Sequence, residues 1–121
     1  MKILVTEDDL MTRKVIQKTL EQAGMEVVTA SNGDEALGIL SKQSFDIMLI
    51  DIHMPGYSGI DLIKKIRNKL ADNTPIAIVT RDQGEVMARK AFEEGADDYI
   101  IKPFEPQYLL ERIEKLAAKN A

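Results

Sequence analysis

The chain has 121 residues, 45% of them apolar and 30% charged, a composition that suits one globular domain and excludes a disordered tail, a collagenous chain or a membrane span. Without cysteine it has no disulfide framework, thiolate zinc site or catalytic thiol, and a formal charge of −4 opposes direct nucleic-acid binding as its main activity. Area scaling gives a folded surface of about 6,600 Å², roughly a third of the unfolded one, so the core needs no staple. Met1-Lys2-Ile3-Leu4-Val5 turns acidic at Glu7, too soon for the apolar region of a signal peptide, so the expected location is the cytoplasm, with no membrane partner.

Ile3-Leu4-Val5 is a short apolar run followed directly by Glu7-Asp8-Asp9, after which Met11, Val15, Ile16, Leu20 and Ala23 recur at helical spacing up to Gly24. The pattern predicts strand, acidic loop, helix. Val27-Val28-Thr29-Ala30 is a second β-branched run, Asn32-Gly33 reads as a turn, and Ala36, Leu37 and Leu40 carry a second helix. Ile47-Met48-Leu49-Ile50 is apolar at every position, the signature of a strand buried on both faces, and Asp51 closes it. Beyond Pro55-Gly56 and Ser58-Gly59, Leu62, Ile63 and Ile66 mark a third helix, and Ile76-Ala77-Ile78-Val79 form a fourth strand ending at Thr80. Val86, Met87, Ala91 and Phe92 mark a fourth helix ending at Gly95, Tyr99-Ile100-Ile101 are the fifth strand, and Tyr108, Leu109, Ile113 and Leu116 give the last helix its apolar face. The closing Ala117-Ala118-Lys119-Asn120-Ala121 reads as a fraying helix end. Five strands alternating with five helices through short loops predict an α/β fold: a doubly wound, five-stranded parallel sheet covered on both sides, forming one domain over residues 1–121.

Ligands of open parallel sheets gather at the carboxyl ends of the strands. Strand 1 delivers Glu7, Asp8 and Asp9 there, strand 3 Asp51, strand 4 Thr80 and strand 5 Lys102. Two unit charges about 4 Å apart repel by roughly 4 kcal/mol at an effective dielectric of 20, so converging carboxylates call for a positive partner. Mg²⁺ suits such a set, because it takes hard oxygen ligands and needs only one or two carboxylates. With Glu7, Asp8 and Asp51 counted as −3, one Mg²⁺ and Lys102 restore neutrality, whereas a lone His53 and no Cys do not suit zinc. Each residue alone has a plainer use: the acidic triplet as helix-capping acids, Asp51 as a loop cap, Thr80 as a strand-end hydroxyl, Lys102 as a surface amine. Their convergence on one rim favours a joint one. Phosphoryl transfer to Asp51 gives each a role, with Asp51 attacking, Mg²⁺ shielding charge, and Thr80 and Lys102 donating to the phosphoryl oxygens.

The motifs Val5-Thr6-Glu7-Asp8-Asp9, Leu49-Ile50-Asp51-Ile52-His53-Met54-Pro55 with Gly59, Val79-Thr80, and Ala96-Asp97-Asp98-Tyr99-Ile100-Ile101-Lys102-Pro103-Phe104 stand in order over essentially the whole chain. In this the chain resembles a response-regulator receiver domain of two-component signalling, of the CheY-like kind. The resemblance implies that Asp51 accepts a phosphoryl group from the phosphohistidine of a histidine kinase or a histidine phosphotransfer protein and later loses it by hydrolysis. It implies Mg²⁺ bound by Asp8, by Glu7 through water, by Asp51 and by the backbone carbonyl of His53, with Asp9 starting the helix instead. It also implies a cis peptide at Lys102-Pro103 and a switch pair of Thr80 and Tyr99, whose ring turns inward when the hydroxyl moves to the phosphoryl oxygen; Tyr99 as ordinary strand filler is the alternative.

Two positions depart from the pattern. Arg81 follows the switch threonine where the family usually has Ala or Gly, and it either modulates access to Asp51 or pairs with Asp82 or Glu85 and faces solvent. Asp97, Asp98 and Arg112 resemble charges used for dimerisation through the face of the fourth helix, fifth strand and fifth helix. Ala88 and Tyr108, however, replace a basic and an acidic residue there, so a monomer or a weak phosphorylation-dependent dimer is expected. Output then passes through a partner, or an effector domain missing from this chain, on that face. The rival readings are an FMN carrier of flavodoxin-like architecture, which Glu7-Asp8-Asp9 disfavours by repelling phosphate after strand 1, and a receiver-like scaffold that is never phosphorylated, which an intact site disfavours.

Overall fold

The computed structural model describes residues 1–119; Asn120 and Ala121, the last two residues of the predicted fraying end, lie outside them. The elements alternate as β1 (Lys2–Thr6), α1 (Leu10–Gln22), β2 (Glu26–Ala30), α2 (Gly33–Leu40), β3 (Ile47–Ile50), α3 (Gly59–Asn68), β4 (Ile76–Thr80), α4 (Glu85–Glu94), β5 (Asp98–Ile101) and α5 (Pro106–Lys119). All neighbouring strands pair in parallel in the order β2-β1-β3-β4-β5. The chain moves outward from β1 to β2 and then back past β1 to β3, so the winding direction reverses once. With right-handed crossovers, that reversal sets α1 and α5 on one face and α2, α3 and α4 on the other.

Alternation along the strands divides the core in two. Ile3, Val5, Ile47, Leu49, Ala77 and Val79 pack with Ile16 and Leu20 of α1 and Leu109, Ile113 and Leu116 of α5. Leu4, Met48, Ile50, Ile76 and Ile78 pack with Ala36, Leu62, Ile63, Ile66 and Ala91 of the three opposite helices. β3, at the centre, is buried at all four positions, as its uninterrupted apolar run requires. The solvent-accessible surface is 6517 Å², close to the area expected from chain length.

Two local expectations are corrected. Asn32-Gly33 is a helix start: the Asn32 side chain accepts from the Glu35 amide at 2.8 Å as the N-cap of α2. Ser58 and Gly59, beyond which the third helix was expected, open α3, where Ser58 and Asp61 form a reciprocal capping box. Finally, Met11 and Val15 of α1, Val86 and Phe92 of α4 and Tyr108 of α5 are exposed. On α1 the pairs Met11/Val15 and Ile16/Leu20 are both spaced four apart but lie on stripes about 140° from each other, and only the second meets the sheet. Ala117–Lys119 continue α5 as regular helix.

Candidate functional site

Strand ends deliver the polar residues, and backbone hydrogen bonds hold them there. The Glu7 amide donates to Ala30 O at 3.0 Å, the Asp51 amide to Thr6 O at 3.1 Å and the Lys102 amide to Thr80 O at 2.7 Å, so the sheet ladder runs one residue past each strand. Four polar side chains are thereby carried to one rim with little exposure: Glu7 at 2%, Asp51 at 8%, Thr80 at 0% and Lys102 at 8%. The rim lies where the winding reverses, between β1 and β3.

Lys102 Nζ donates to both Glu7 Oε1 and Asp51 Oδ2, the second at 3.3 Å. Glu7 Oε2 accepts from the Asp9 amide at 3.2 Å. Burial pushes the Glu7 carboxyl up to about 7 against the lowering effect of the Lys102 hydrogen bond, and the neighbouring Asp51 charge adds to the rise. Asp8 is exposed. Glu7, Asp8 and Asp51 each offer a carboxylate oxygen, and these oxygens all lie within 4.8 Å of one another. Three converging hard oxygens, with a single ammonium against three carboxylates, fit a small divalent cation of the magnesium type. Asp9 stands apart from this group: it is the N-cap of α1, accepting from the Thr12 amide at 2.9 Å and the Thr12 hydroxyl at 2.6 Å. Those bonds hold the Asp9 carboxyl below the usual range, and the charges of Arg81 and Lys102 contribute further.

Around the carboxylates a cleft of about 260 Å³ is lined by Thr12, His53, Thr80, Arg81 and Lys102 together with the acids. Arg81 is exposed at this mouth and makes no ion pair among the described residues; Asp82, one of its two expected partners, is bonded to His53 Nε2 at 2.9 Å instead. The Lys102–Pro103 peptide is cis. Tyr99 lies against the α2-α3-α4 side of the core and donates its hydroxyl to Asp82 O at 2.6 Å. Burial, with the Asp82 and Asp51 charges adding, pushes that phenol up to about 12. A larger cleft, about 720 Å³, opens near the opposite strand ends beside Met1, Phe45 and Thr74. Its two carboxylates are engaged locally, Asp46 by the Lys2 amide and Asp72 by Thr74.

Three residues around the site carry no motif and were legible only as ordinary polar positions. Thr12 completes the Asp9 cap, Arg13 Nη1 donates to Glu7 O at 2.9 Å, and Asp82 joins His53, Thr80 and Tyr99. For Asp82 the available signal is a Thr-x-Asp sequence directly after a buried strand, which favours a side-chain-bonded turn. On the far side of the sheet edge, Asp98 and Arg112 form a two-pronged ion pair at 2.5 and 2.6 Å. Asp97 accepts from Arg67 at 3.1 Å and from the Ile76 amide at 2.9 Å. The charges that resembled a dimer interface are thus engaged within one chain.

This arrangement has counterparts. The family described as response regulator receiver domain matches residues 3–114. The transcriptional regulatory protein ResD of Bacillus subtilis (strain 168) is 38% identical over 115 residues, covering 95% of this chain and 47% of that protein. A chemotaxis protein CheY homolog of Campylobacter jejuni subsp. jejuni serotype O:23/36 (strain 81-176) is 37% identical over 117 residues, covering 94% of this chain and 90% of that one. The chain therefore spans about half the length of the transcriptional regulator and nearly all of the CheY homolog. A solved receiver domain of the Francisella response regulator 1452 superposes with a TM-score of 0.92 at 32% identity, covering 99% of this chain and 98% of the other. With that family matching residues 3–114 of the 121, this chain belongs to the response regulator receiver domains of two-component systems.

Proposed function

We propose that residues 1–121 form one receiver domain that works in the cytoplasm as a Mg²⁺-dependent phosphorylation switch, with Asp51 as the phosphoacceptor. The observation that carries this reading is the position of Asp51: it follows the fully buried central strand β3, its carboxylate is 3.3 Å from Lys102 Nζ, and it shares the acidic cluster with Glu7 and Asp8. Asp8, Asp51, the His53 carbonyl and, through water, Glu7 are the residues to hold Mg²⁺. When bound, the ion offsets the negative charge that gathers on the phosphoryl oxygens.

An Asp51 oxygen attacks the phosphorus of a phosphohistidine. The new O–P bond forms as the P–N bond breaks, and the electron pair stays on the departing imidazole. Lys102 and Thr80 donate to the phosphoryl oxygens. Water later attacks the same phosphorus, releasing inorganic phosphate and restoring the carboxylate. Thr80 and Tyr99 carry the change to α4, β5 and α5, where exposed Phe92 and Tyr108 offer an output surface. With Asp98 and Arg112 already paired to each other, that face suits a partner or an effector domain better than a stable second copy. Exposed Met11 and Val15 line a cleft of about 390 Å³ together with Pro103, Phe104 and Pro106, next to the site. This is the apolar platform on which a histidine kinase or phosphotransfer protein brings its phosphohistidine to Asp51.

Acetyl phosphate with Mg²⁺ is expected to add one phosphoryl mass to the wild type and none to Asp51→Asn in intact-mass spectra; equal labelling of the two would sink the assignment. Mg²⁺ alone should raise the melting temperature by mass action. Asp8→Asn should weaken that binding at least about tenfold, as expected for a residue of the metal site, while Asp9→Asn leaves it close to wild type. Comparable losses in thermal-shift titrations would overturn that order. Arg81 screens the cleft mouth or contacts the phosphoryl oxygens, so Arg81→Ala should lose phosphate faster than wild type in Mg²⁺ buffer. Faster labelling alongside would mark screening, labelling at the wild-type rate a direct contact, and two unchanged rates would leave Arg81 as surface charge.

A further inference from the structure

Asp82 belongs to no motif, yet four contacts meet on it. Its Oδ2 is 2.9 Å from His53 Nε2, its Oδ1 accepts from the Gly84 amide at 2.8 Å, its own amide donates to Thr80 Oγ1 at 3.3 Å, and its carbonyl accepts the Tyr99 hydroxyl at 2.6 Å. The first of these joins two loops that leave adjacent strands, the one after β3 and the one after β4. Each partner sits two residues past a site residue, His53 beyond Asp51 and Asp82 beyond Thr80.

We propose that His53 and Asp82 form a clasp across the mouth of the Asp51 cleft, and that Asp82 passes the position of the phosphoacceptor loop on to Thr80 and Tyr99. This rests on the reading of Asp51 as phosphoacceptor. Their side chains are 60% and 22% exposed, and among the described residues their bond is the side-chain hydrogen bond that links the two loops. A carboxylate only accepts, so Nε2 is the donor whatever the charge on the ring. Gly84, the N-cap of α4, has no side chain with which to cap the helix, and Asp82 Oδ1 bonds its amide instead. The clasp therefore reaches the start of α4 through one side chain.

The amide contact bears on the chemistry of Thr80. A hydroxyl has one proton and two lone pairs. With a lone pair directed at the Asp82 amide, the proton of Thr80 is what remains to be donated towards a phosphoryl oxygen. The loop that holds Asp82 thus orients Thr80 as a donor, and the Asp82 carbonyl ties the same loop to Tyr99. His53 and Asp82 act through other residues, which makes them positioning residues of the switch. His53 and Thr80 both line the Asp51 cleft, so loss of the bond also alters the surroundings of the phosphorus.

Metal-free protein with labelled tyrosine rings and backbone amides tests the coupling directly. His53→Ala should shift the Gly84 amide and the Tyr99 ring signals, although His53 is hydrogen-bonded to neither. His53→Gln, whose amide can donate to the same oxygen, should restore them. After labelling with acetyl phosphate and Mg²⁺, His53→Ala and Asp82→Ala should each shorten the lifetime of the phosphate about two- to fivefold, the range of a partly exposed polar contact. The double variant should be no faster than Asp82→Ala alone, because both changes break one bond. Unmoved Tyr99 and Gly84 signals in His53→Ala, or rate increases that multiply in the double variant, would overturn the clasp. Failure of the wild type to label would instead overturn the phosphoacceptor reading, and the metal-free spectra would still decide the clasp.

Discussion

Gly59→Ala should destabilise the domain by about 3 kcal/mol, the upper range for forcing an extra methyl into a packed site, and should slow the labelling of Asp51. A Cβ on Gly59 would stand 2.1 Å from the Asp51 carbonyl oxygen, 2.9 Å from its carbonyl carbon and 3.0 Å from Ile50 Cγ2. The close approach is built in, because the Gly59 amide donates to Ile52 O at 2.7 Å and closes the loop after β3 onto the first turn of α3. The obstacle is backbone, so no rotamer change relieves it. Either α3 lifts from the sheet or the backbone of the phosphoacceptor moves. The loss corresponds to a fall in melting temperature of about 12 °C for a domain of this size. Gly38→Ala is the control: it lies inside α2 with nothing within 4 Å of an added Cβ, and should gain about 0.5–1 kcal/mol. A Gly59→Ala protein that melts within a few degrees of wild type and labels at the same rate would contradict the steric account.

Arg67→Ala should cost about 3 kcal/mol, since charge-assisted hydrogen bonds are worth more than neutral ones and their carbonyl partners would be left without donors. The Arg67 fork joins three segments. Nη1 donates to Asp72 O and Thr74 O, both at 2.7 Å. Nη2 donates to Gly95 O at 2.8 Å and Asp97 Oδ2 at 3.1 Å, and Nε adds a longer bond to Gly95 O. One side chain at the end of α3 thus fixes the loop before β4 and the loop between α4 and β5. Asp97 in turn accepts from the Ile76 amide, so the clamp reaches the first residue of β4. Gly95, with φ +120°, is the turn this geometry requires, and its missing Cβ leaves room for the Arg67 stem. Lysine has neither the planar fork nor the donor count, so Arg67→Lys should recover little. Urea unfolding with an unchanged slope would report the loss as native-state stability. A midpoint equal to wild type in Arg67→Ala would show that water replaces the fork at no cost.

Strand positions were readable because a parallel strand buried on both faces has no choice of residue type: Ile47-Met48-Leu49-Ile50 admits no polar side chain, and all four are buried. The polar residues that close such runs were readable for the same reason, since Asp51 and Thr80 are the first places where polarity returns. Helix faces were less legible. An apolar residue on a helix reads the same whether it meets the sheet or a partner, and Met11, Val15, Phe92 and Tyr108 are exposed next to residues that are buried. Local sequence also misdirected the Asn32-Gly33 pair, because a side chain that favours a turn and one that caps a helix make the same short bond to a nearby amide. The family resemblance, and not spacing alone, set Asp9 apart from Glu7 and Asp8 as a helix start, and Asp9 caps α1 through Thr12.

The sequence by itself determined the number and order of elements, the fully buried central strand and the set of strand-end side chains, because each follows from periodicity along one segment and from the exclusion of charge from a two-sided core. Tertiary structure alone decided which of those side chains touch. Glu7 and Lys102 are 95 residues apart in the chain, and their ion pair depends on how β1, β3 and β5 are ordered and how far each ladder extends. The same holds for Arg67 reaching Gly95, for Asp98 taking up Arg112, and for His53 meeting Asp82 across two loops. Such pairs join residues with no shared period and no shared segment. Their energies come from burial and from the direction of a few hydrogen bonds, and those exist only once the sheet has set the distances.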